Sequence, residues 1–583
     1  MFKVNHNIME LYLKLLPVQI FLVLASSLSY FVNGIITGNL LNAVAMVALG
    51  LATPFCAILS SIATIFSGGS GILCGNYMGR GETEKVNEVY SVSIIMALVT
   101  GLALTLIVPV FASQFAVLLG ADAETLPDTM AYIRGMALGL IPTMIMPVQM
   151  TFLQMCNKSG VSLLATILLA IFNSLFSLVA VNVFNTGIFG IGAATSLARW
   201  VTALLMGIYL LVNKDLVTFR PKAFNLGMAG QILKLGSPAT LANFLYPVRN
   251  VFINKYAFTV GGIDAVNALA ILGSFGGFLD MVNIGVGAAL TMLASVFVGE
   301  RDTRSLKELM KVELICGMSL CAVKLFVVYV FGDDIAVLCG AEGNVVPLAH
   351  SLFIWYGWSA PLNMVTLLFM GIYQSLGRVT YCNSLYPLNC IIVPFICCAF
   401  ISKFTGITAI WSCYAWAEVA TLIAMYLYAS FRKKAPATSV DDMLFLDKNF
   451  DTANKISLTV RDLDEIVKVS ESIQNFCAEQ GIDNKRAMLS GVCMEEMAAN
   501  VVKHGFNKDK KKDHSIDVFA CVENDEVLLR MRDDCQPFDP KSKLEMYDDE
   551  DPMKNFGIKM VSKIAKEMNY QTTFGMNVLT IKL

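Results

Sequence analysis

Long apolar runs make up most of the first 431 residues, and they constrain the fold more than any other feature of this sequence. A helix needs about 20 predominantly apolar residues to cross a bilayer. Runs of this kind lie at 11–32, 43–76, 92–119, 130–153, 161–183, 188–213, 236–258, 266–297, 313–331, 345–376, 382–402 and 406–431. We therefore predict an α-helical polytopic membrane protein with about twelve transmembrane helices in a lipid bilayer.

The composition changes after Phe431. The whole chain has only 15% charged and 56% hydrophobic residues, whereas a soluble chain usually carries about 25% charge. After Arg432 the charge content becomes ordinary, which predicts a linker at 433–450 and a soluble domain at 451–583. The formal net charge of −2 and the lack of a basic stripe predict no nucleic-acid partner.

Lysine and arginine placement predicts the orientation, because these residues stay on the cytoplasmic side of a membrane. They follow the even-numbered apolar runs, as in the loops at 79–85 and 299–311, and they are scarce in the alternate loops. Both termini are therefore expected in the cytoplasm, with the helices in the cell (inner) membrane.

The membrane part repeats itself at an interval of about 220 residues. Phe31-Val-Asn33 recurs as Phe252-Ile-Asn254, and GRGETEK at 79–85 recurs as GERDTRS at 299–305. Because the interval holds six runs, both halves must insert with the same orientation. We predict two parallel six-helix lobes at 1–220 and 221–432, an arrangement typical of transporters with a substrate cavity between the lobes.

Two segments in this repeat, GGSGILCGNYMGRGETEKV and GAALTMLASVFVGERDTRSL, resemble the multidrug and toxic compound extrusion (MATE) family. The resemblance implies export of small organic compounds, often cationic or drug-like, driven by an inward H⁺ or Na⁺ gradient. It also implies that two six-helix bundles rock to alternate access. Many bacterial members carry an aspartate in the first span, where this sequence has Asn33, which cannot carry a proton.

Ionisable residues within the spans are functional candidates, because a charge near the bilayer centre costs at least ~2.5–3.5 kcal/mol. Asp280, in GGFLDMVNIG, is surrounded by small residues that allow an open cavity. A salt bridge with Lys324 or Arg249 is the structural alternative for it, and helix packing is the alternative for Arg199. The predicted residues for ion coupling or substrate binding are Asp280, Glu418, Asn33, Asn254 and Arg199.

Beyond Phe445 the periodicity predicts an α/β sandwich. Helical spacing covers 461–480, 484–505 and 556–568, a hairpin covers 515–532 with its turn near 523–525, and a strand covers 573–583.

Three stretches of this domain carry chemistry. Glu496, Asn500 and His504 follow one another at four-residue intervals and so share a helix face. A carboxylate there can act as a base, and an asparagine oxygen can join a Mg²⁺ shell with ATP phosphates. Asp533 at a strand end can accept the proton of the adenine amino group, and Gly557 opens a helix whose backbone amides can receive phosphate.

In this order the three stretches resemble the histidine-kinase and gyrase type of ATPase domain, most closely the serine kinases that act as anti-sigma factors. The resemblance implies ATP and Mg²⁺ as cofactors, Glu496 as the kinase base, Asn500 as the Mg²⁺ ligand and Asp533 as the adenine-reading residue. It also implies a protein substrate. The sequence departs from the pattern where Cys535 and Asn555 replace glycines.

Several functions are compatible with this organisation. The leading hypothesis is a secondary exporter regulated by its ATP-binding domain. A primary pump is disfavoured because the sequence lacks a Walker-type phosphate loop. A membrane-bound sensor or receptor kinase and a flippase for lipid-linked or polysaccharide precursors remain alternatives, although a flippase cavity should be strongly cationic.

Overall fold

The computed structural model describes residues 5–213, 216–446, 454–506, 514–523, 525–540 and 556–583. Up to residue 446 the described chain is almost entirely helical. Its α-helices are α1 (His6–Leu40), α2 (Ala43–Arg80), α3 (Thr83–Val110), α4 (Ala112–Leu118), α5 (Leu126–Ala137), α6 (Leu140–Met155), α7 (Ser159–Asn182), α8 (Gly187–Val212), α9 (Leu226–Gly299), α10 (Thr303–Leu338), α11 (Val345–Ser375), α12 (Val379–Pro387), α13 (Val393–Ile396), α14 (Ser402–Thr405), α15 (Ile407–Lys433) and α16 (Val440–Leu444). Two π turns, Leu388–Ile392 and Cys397–Ile401, join α12, α13 and α14 into one rod.

The described helices provide the twelve predicted crossings. Ten are long and apolar enough to cross a membrane, and α5 with α6, bent by 50°, make an eleventh. The 74 residues of α9 would extend about 110 Å, far more than the ~30 Å of a bilayer core. At Gly262 the backbone breaks, with φ 67° and ψ −157°, a conformation essentially limited to glycine. This break divides α9 into two crossings.

The outer surface of the bundle is apolar, as a lipid-facing surface requires. Large side chains such as Leu106, Val110, Leu211 and Phe326 are exposed on it. A soluble protein rarely exposes so much contiguous apolar area, but in lipid these side chains need no covering.

The first six crossings (α1–α8, the N-half) and the last six (α9–α15, the C-half) meet along α2 and the second part of α9. Gly79 lies against the backbone of Val296, and Gly299 lies against that of Asn76. A Cβ atom at either glycine would overlap these backbone atoms, so the small residues allow the close approach. The halves are therefore in contact at the end of the bundle that carries the loops 81–82 and 300–302, called the domain end below.

The segment after the last crossing packs against the bundle. It was predicted as a linker at 433–450, and its described part contains α16 and Phe445. The Phe445 ring lies 5.4 Å from the Tyr373 ring, and its carbonyl accepts from Arg378. The Tyr373 hydroxyl donates to the Met443 carbonyl at 2.8 Å. Residues 447–450 lie outside the described part of the chain.

A five-stranded antiparallel sheet forms the C-terminal domain, with strand order β1-β2-β3-β5-β4. The strands are β1 (Lys455–Val460), β2 (Ile516–Glu523), β3 (Glu526–Asp533), β4 (Glu567–Thr573) and β5 (Met576–Lys582), and the helices are α17 (Leu463–Glu479), α18 (Asn484–Asn500) and α19 (Phe556–Ile564). The helices cover one face of the sheet, where Val527, Leu529 and Met531 of β3 join the core with Ile473 and Met494. This is the predicted α/β sandwich.

The structure corrects the predicted elements of this domain in two places. The sequence does not predict β1, and the helix predicted at 556–568 ends at Ile564, so that 567–573 becomes β4. A tight turn with positive φ at Phe574 and Gly575 returns β4 onto β5, and Met568 enters the core. Pairing with β5 decides this conformation, which local spacing does not reveal. The predicted β2–β3 hairpin is confirmed, although its turn residue Asn524 lies outside the described residues.

Candidate functional site

A cavity of about 1000 Å³ lies between the two halves. Side chains of α1, α2 and α6 form its N-half wall, and the C-half contributes α9, α10, α11, α12 and α15. The cavity is large enough for a drug-sized organic molecule. Its four charged lining residues all come from the C-half: Arg249, Asp280, Lys324 and Glu418.

Asp280 lines this cavity and is held by a tyrosine. The Tyr356 hydroxyl donates to its Oδ1 at 2.6 Å, and the Lys324 ammonium lies 5.2 Å from the centre of the Tyr356 ring. In the described part of the chain no ion pair joins Asp280 to Lys324 or Arg249, so the salt bridge considered from the sequence is absent there. Lys324 is nevertheless close enough for its charge to interact with that of Asp280. A carboxylate without a direct ion pair can bind a proton, a metal cation or a cationic ligand.

Glu418 is the second carboxylate of the cavity and is 6% exposed. The Asn363 amide donates to Glu418 Oε1 at 3.0 Å, and Asn363 in turn accepts from Asn283 at 2.9 Å. Arg249 lies against two aromatic rings, with its guanidinium carbon 4.9 Å from the Tyr246 centroid and 5.0 Å from that of Tyr414. No local sequence signal marks the tyrosines and asparagines of this wall, because only the tertiary fold brings them together.

The repeat-related pair Asn33 and Asn254 has two different environments. Asn33 is buried in the N-half, where it accepts from Asn173 at 3.0 Å and contacts Thr195 at 3.5 Å. Asn254 is exposed toward the cavity. Arg199 donates to the Thr143 hydroxyl at 2.9 Å and does not line the cavity. Three of the five predicted residues therefore face the cavity, namely Asp280, Glu418 and Asn254. The other two, Asn33 and Arg199, make polar contacts within the N-half.

A third carboxylate, Glu313 in α10, was not among the predicted residues. It is fully buried, and neither of its oxygens has a hydrogen-bond partner among the described residues. Within the same described part of the chain, the Tyr12 hydroxyl in α1, a helix that packs against α10 from the other half, also has no partner. From the sequence, Glu313 stands at the first residue of an apolar run, a position that normally faces water; packing between the halves buries it.

In the C-terminal domain, Glu496 and Asn500 lie one turn apart on α18, as predicted. A π turn at Val501–Gly505 follows Asn500 directly. His504 lies within this π turn and is exposed.

The beginning of α19 lies against Glu496. A Cβ atom on Gly557 would overlap Glu496 Oε2, so the predicted base and the predicted phosphate-binding glycine are in direct contact. Asn555, the other residue singled out in this loop, lies outside the described residues. The lack of a side chain at Gly557 therefore lets the Glu496 carboxylate lie against the beginning of α19.

Asp533 stands at the end of β3 and is buried, as predicted. Its Oδ1 accepts from the Cys535 amide at 3.0 Å and from the Asn577 side chain at 2.8 Å. Burial raises the pKa of the Asp533 carboxyl, although the hydrogen bond from Asn577 opposes the shift. Both of these hydrogen bonds go to Oδ1, and the second oxygen is the one expected to accept from an adenine amino group. Sequence reasoning missed Asn577 because its partner lies 44 residues earlier in the chain.

Glu496, Asn500, Asp533 and Gly557 together fit an adenine nucleotide with its metal. A buried acceptor stands at one strand end, and an amide side chain, a carboxylate and a helix start without a side chain lie along α18 and α19. One amide oxygen close to a helix start that is predicted to receive phosphate would suit Mg²⁺, which keeps phosphate and water ligands.

Comparison with known proteins places both parts of the chain. The MatE family model matches residues 19–179 and 238–393, and the model of the histidine kinase-like ATPase domain matches residues 459–583. The multidrug export protein MepA of Staphylococcus haemolyticus is 25% identical over 401 residues, which are 68% of this chain and 88% of that protein. MepA of Staphylococcus aureus strain MSSA476 is 24% identical over 392 residues, covering 66% and 86%.

Solved structures share the fold of the membrane part. A transporter of the MOP superfamily from Pyrococcus furiosus superposes with a TM-score of 0.68 and 17% identity, over 74% of this chain and 99% of that one. The Vibrio cholerae MATE transporter VcmN gives a TM-score of 0.68 and 16% identity, over 76% and 99%. The chain is therefore a member of the MatE family of membrane transporters that carries a histidine kinase-like ATPase domain after its last crossing.

Proposed function

We propose that this protein is a secondary active exporter of organic, drug-like and often cationic compounds, driven by H⁺ or Na⁺ antiport. The observation that carries the proposal is the cavity of about 1000 Å³ between the halves, with two carboxylates on its wall. The names of the staphylococcal relatives, multidrug export proteins, support the same substrate class.

Asp280 is the residue proposed to couple export to the ion gradient. Asn33 cannot ionise, whereas Asp280 faces the cavity and is held by a neutral phenol rather than a cation. A proton or Na⁺ that binds Asp280 would compete with a cationic substrate for the same charge, which is the requirement for antiport. Glu418, on the same wall, is proposed to assist in binding the substrate or the ion.

The flippase alternative is not favoured by this cavity. Its lining contains two basic residues, Arg249 and Lys324, and two acidic ones, Asp280 and Glu418. A cavity for a lipid-linked phosphate should carry an excess of positive charge, and this one is balanced. Balanced charge with several aromatic rings suits drug-like molecules of varied structure.

The C-terminal domain is proposed to bind Mg·ATP and to regulate transport, with a protein substrate for phosphate transfer as a further part of the proposal. The fit of Asp533, Asn500 and Gly557 to a nucleotide supports binding, and Glu496 is the proposed base. Lysine and arginine placement supports a cytoplasmic position for the domain end and for both termini, where ATP is available. The membrane is proposed to be the cell (inner) membrane.

Transport into and out of proteoliposomes tests the exporter proposal. The full chain is reconstituted, and movement of ethidium, an aromatic cation, is followed with an imposed H⁺ gradient, an imposed Na⁺ gradient or neither, each with and without Mg·ATP. Ethidium movement that follows one ion gradient without ATP is expected. Movement that requires ATP and ignores both gradients would identify a primary pump and refute the proposal.

A further inference from the structure

The sheet of the C-terminal domain has a second face, opposite its helices, which packs on the domain end of the bundle. Side chains alternate along β3, so that Asp533 faces the nucleotide side while Arg530 and Arg532 face the bundle. Both arginines are buried, at 5% exposure each. Charged side chains are seldom buried without partners, so their contacts show what this face binds.

Arg530 joins the two halves through one guanidinium group. Its Nη1 donates to the Glu300 carbonyl of the C-half at 3.0 Å, and its Nη2 donates to the Gly79 carbonyl of the N-half at 3.2 Å. The guanidinium is a rigid planar fork, so the two carbonyls must keep a fixed separation for both bonds to persist. The Phe519 ring, 5.4 Å from the guanidinium carbon, supports the fork from β2.

Arg532 binds the C-half by charge. It forms an ion pair with the buried Glu300 carboxylate and lies 3.7 Å from Asp302 Oδ2, and it donates to the Ser305 hydroxyl at 3.3 Å. Its guanidinium carbon also lies 4.8 Å from the centre of the Phe297 ring. A buried ion pair with further hydrogen bonds is costly to break, because each partner would be left charged in an apolar site.

The two edge strands of the sheet bind one half each. On β4, the Asn569 side chain donates to the Gly81 carbonyl and the Gln571 side chain to the Met78 carbonyl, both in the N-half. On β1, the Ser457 carbonyl accepts from Arg304 of the C-half at 2.9 Å. The sheet therefore extends from one half to the other, with Arg530 between its edges.

We propose that this sheet face is a clamp that holds the N-half and the C-half together at the domain end. Export by alternating access requires the halves to separate at the cytoplasmic end in one stage of the cycle. The halves can separate at the domain end only if the sheet releases at least one of the loops 81–82 and 300–302. The clamp thus favours the state closed at the domain end and limits the rate of return to the state open there.

The effect of the clamp on transport rests on the proposed function, but the contacts of the sheet with both halves do not. Arg532 and Asp533 are neighbours whose side chains point to opposite faces of β3, so the clamp does not contact the nucleotide side of the sheet. Nucleotide binding and clamping are therefore compatible, and one strand takes part in both.

Hydrogen–deuterium exchange of the full chain in lipid nanodiscs tests whether the clamp binds both halves. The variant is Arg530→Gln, and the matched control is Arg486→Gln, since Arg486 pairs only with Asp483 and Asp525 of its own domain among the described residues. Loss of hydrogen bonds from a charged donor should speed exchange roughly tenfold in both segments 77–83 and 299–305. Unchanged exchange, or faster exchange in only one of the two segments, would show that Arg530 does not join the two halves.

A second variant keeps the test decisive if Arg530→Gln fails to fold. Asn569→Ala with Gln571→Ala removes the contacts of β4 alone, so exchange should rise in 77–83 and stay unchanged in 299–305. A rise in both segments or in neither would contradict the assignment of one edge strand to each half.

Ethidium transport under a fixed ion gradient tests the effect of the clamp. Arg530→Gln should raise the initial rate several-fold over Arg486→Gln, because the halves separate more readily. An unchanged or lower rate, with both loops deprotected, would show that the contact does not limit transport. If the wild type moves no ethidium under either gradient, the exporter proposal fails. The exchange experiment still decides whether the clamp binds both halves.

Discussion

Replacing Asp533 by asparagine gives the sharpest test of the nucleotide site, because the change removes one acceptor and almost no volume. In the wild type, Oδ1 accepts from Cys535 and Asn577, and the second oxygen is the proposed acceptor for the adenine amino group. The asparagine oxygen can keep both protein donors. Its NH₂ group then takes the place of the second oxygen and faces the adenine amino group, so that donor meets donor.

The expected loss follows from the hydrogen bond that disappears. A bond to a charged acceptor contributes about 1.5–3 kcal/mol, and 1.4 kcal/mol corresponds to a factor of ten in Kd. Asp533→Asn should therefore weaken Mg·ATP binding roughly ten- to hundredfold. The assay is isothermal titration of the full chain in detergent with Mg·ATP. Asp525→Asn, at the exposed tip of the β2–β3 hairpin, is the control and should bind as the wild type does.

The pH dependence provides an independent check on the same residue. Burial raises the pKa of Asp533, so its carboxyl takes up a proton at a higher pH than an ordinary aspartate does. A protonated carboxyl is a poorer acceptor, so the affinity of the wild type should decline as the pH falls through this raised pKa. Asp533→Asn should lack that decline. A variant Kd within twofold of the wild-type value would refute adenine recognition by Asp533.

Four further changes test the remaining assignments. Asp280→Asn should abolish gradient-driven ethidium transport in proteoliposomes without loss of folded protein, and full transport by this variant would exclude Asp280 from coupling. Glu496→Ala should keep Mg·ATP binding, measured by titration, but stop the release of phosphate from ATP. Gly557→Ala should impair both binding and phosphate release, because the added methyl group must displace the Glu496 carboxylate. Deletion of 440–583 should preserve transport driven by an imposed gradient, and complete loss in vesicles that contain the truncated protein would show that the domain powers transport.

The candidate residues show which parts of a functional site can be predicted from local sequence. Asp280 could be selected from the sequence because a carboxylate inside an apolar run is costly whatever surrounds it. Its partner Tyr356 could not, since the two residues lie 76 positions apart and only the packing of α9 against α11 brings them together. Glu313 shows the converse case: it looked like an ordinary end residue of a span, and contact between the halves buries it.

By itself the sequence determined the crossings, their twofold repetition and the change to a soluble α/β domain. Each of these follows from hydrophobic length, spacing or motif order, which are local properties of the chain. Tertiary structure alone decided that Arg530 and Arg532, which look like ordinary polar strand residues, are buried against loops of both halves. Strand alternation assigns residues to the two faces of the sheet, but it does not show which part of the protein packs on each face. That choice depends on contacts between residues hundreds of positions apart, which no local pattern encodes.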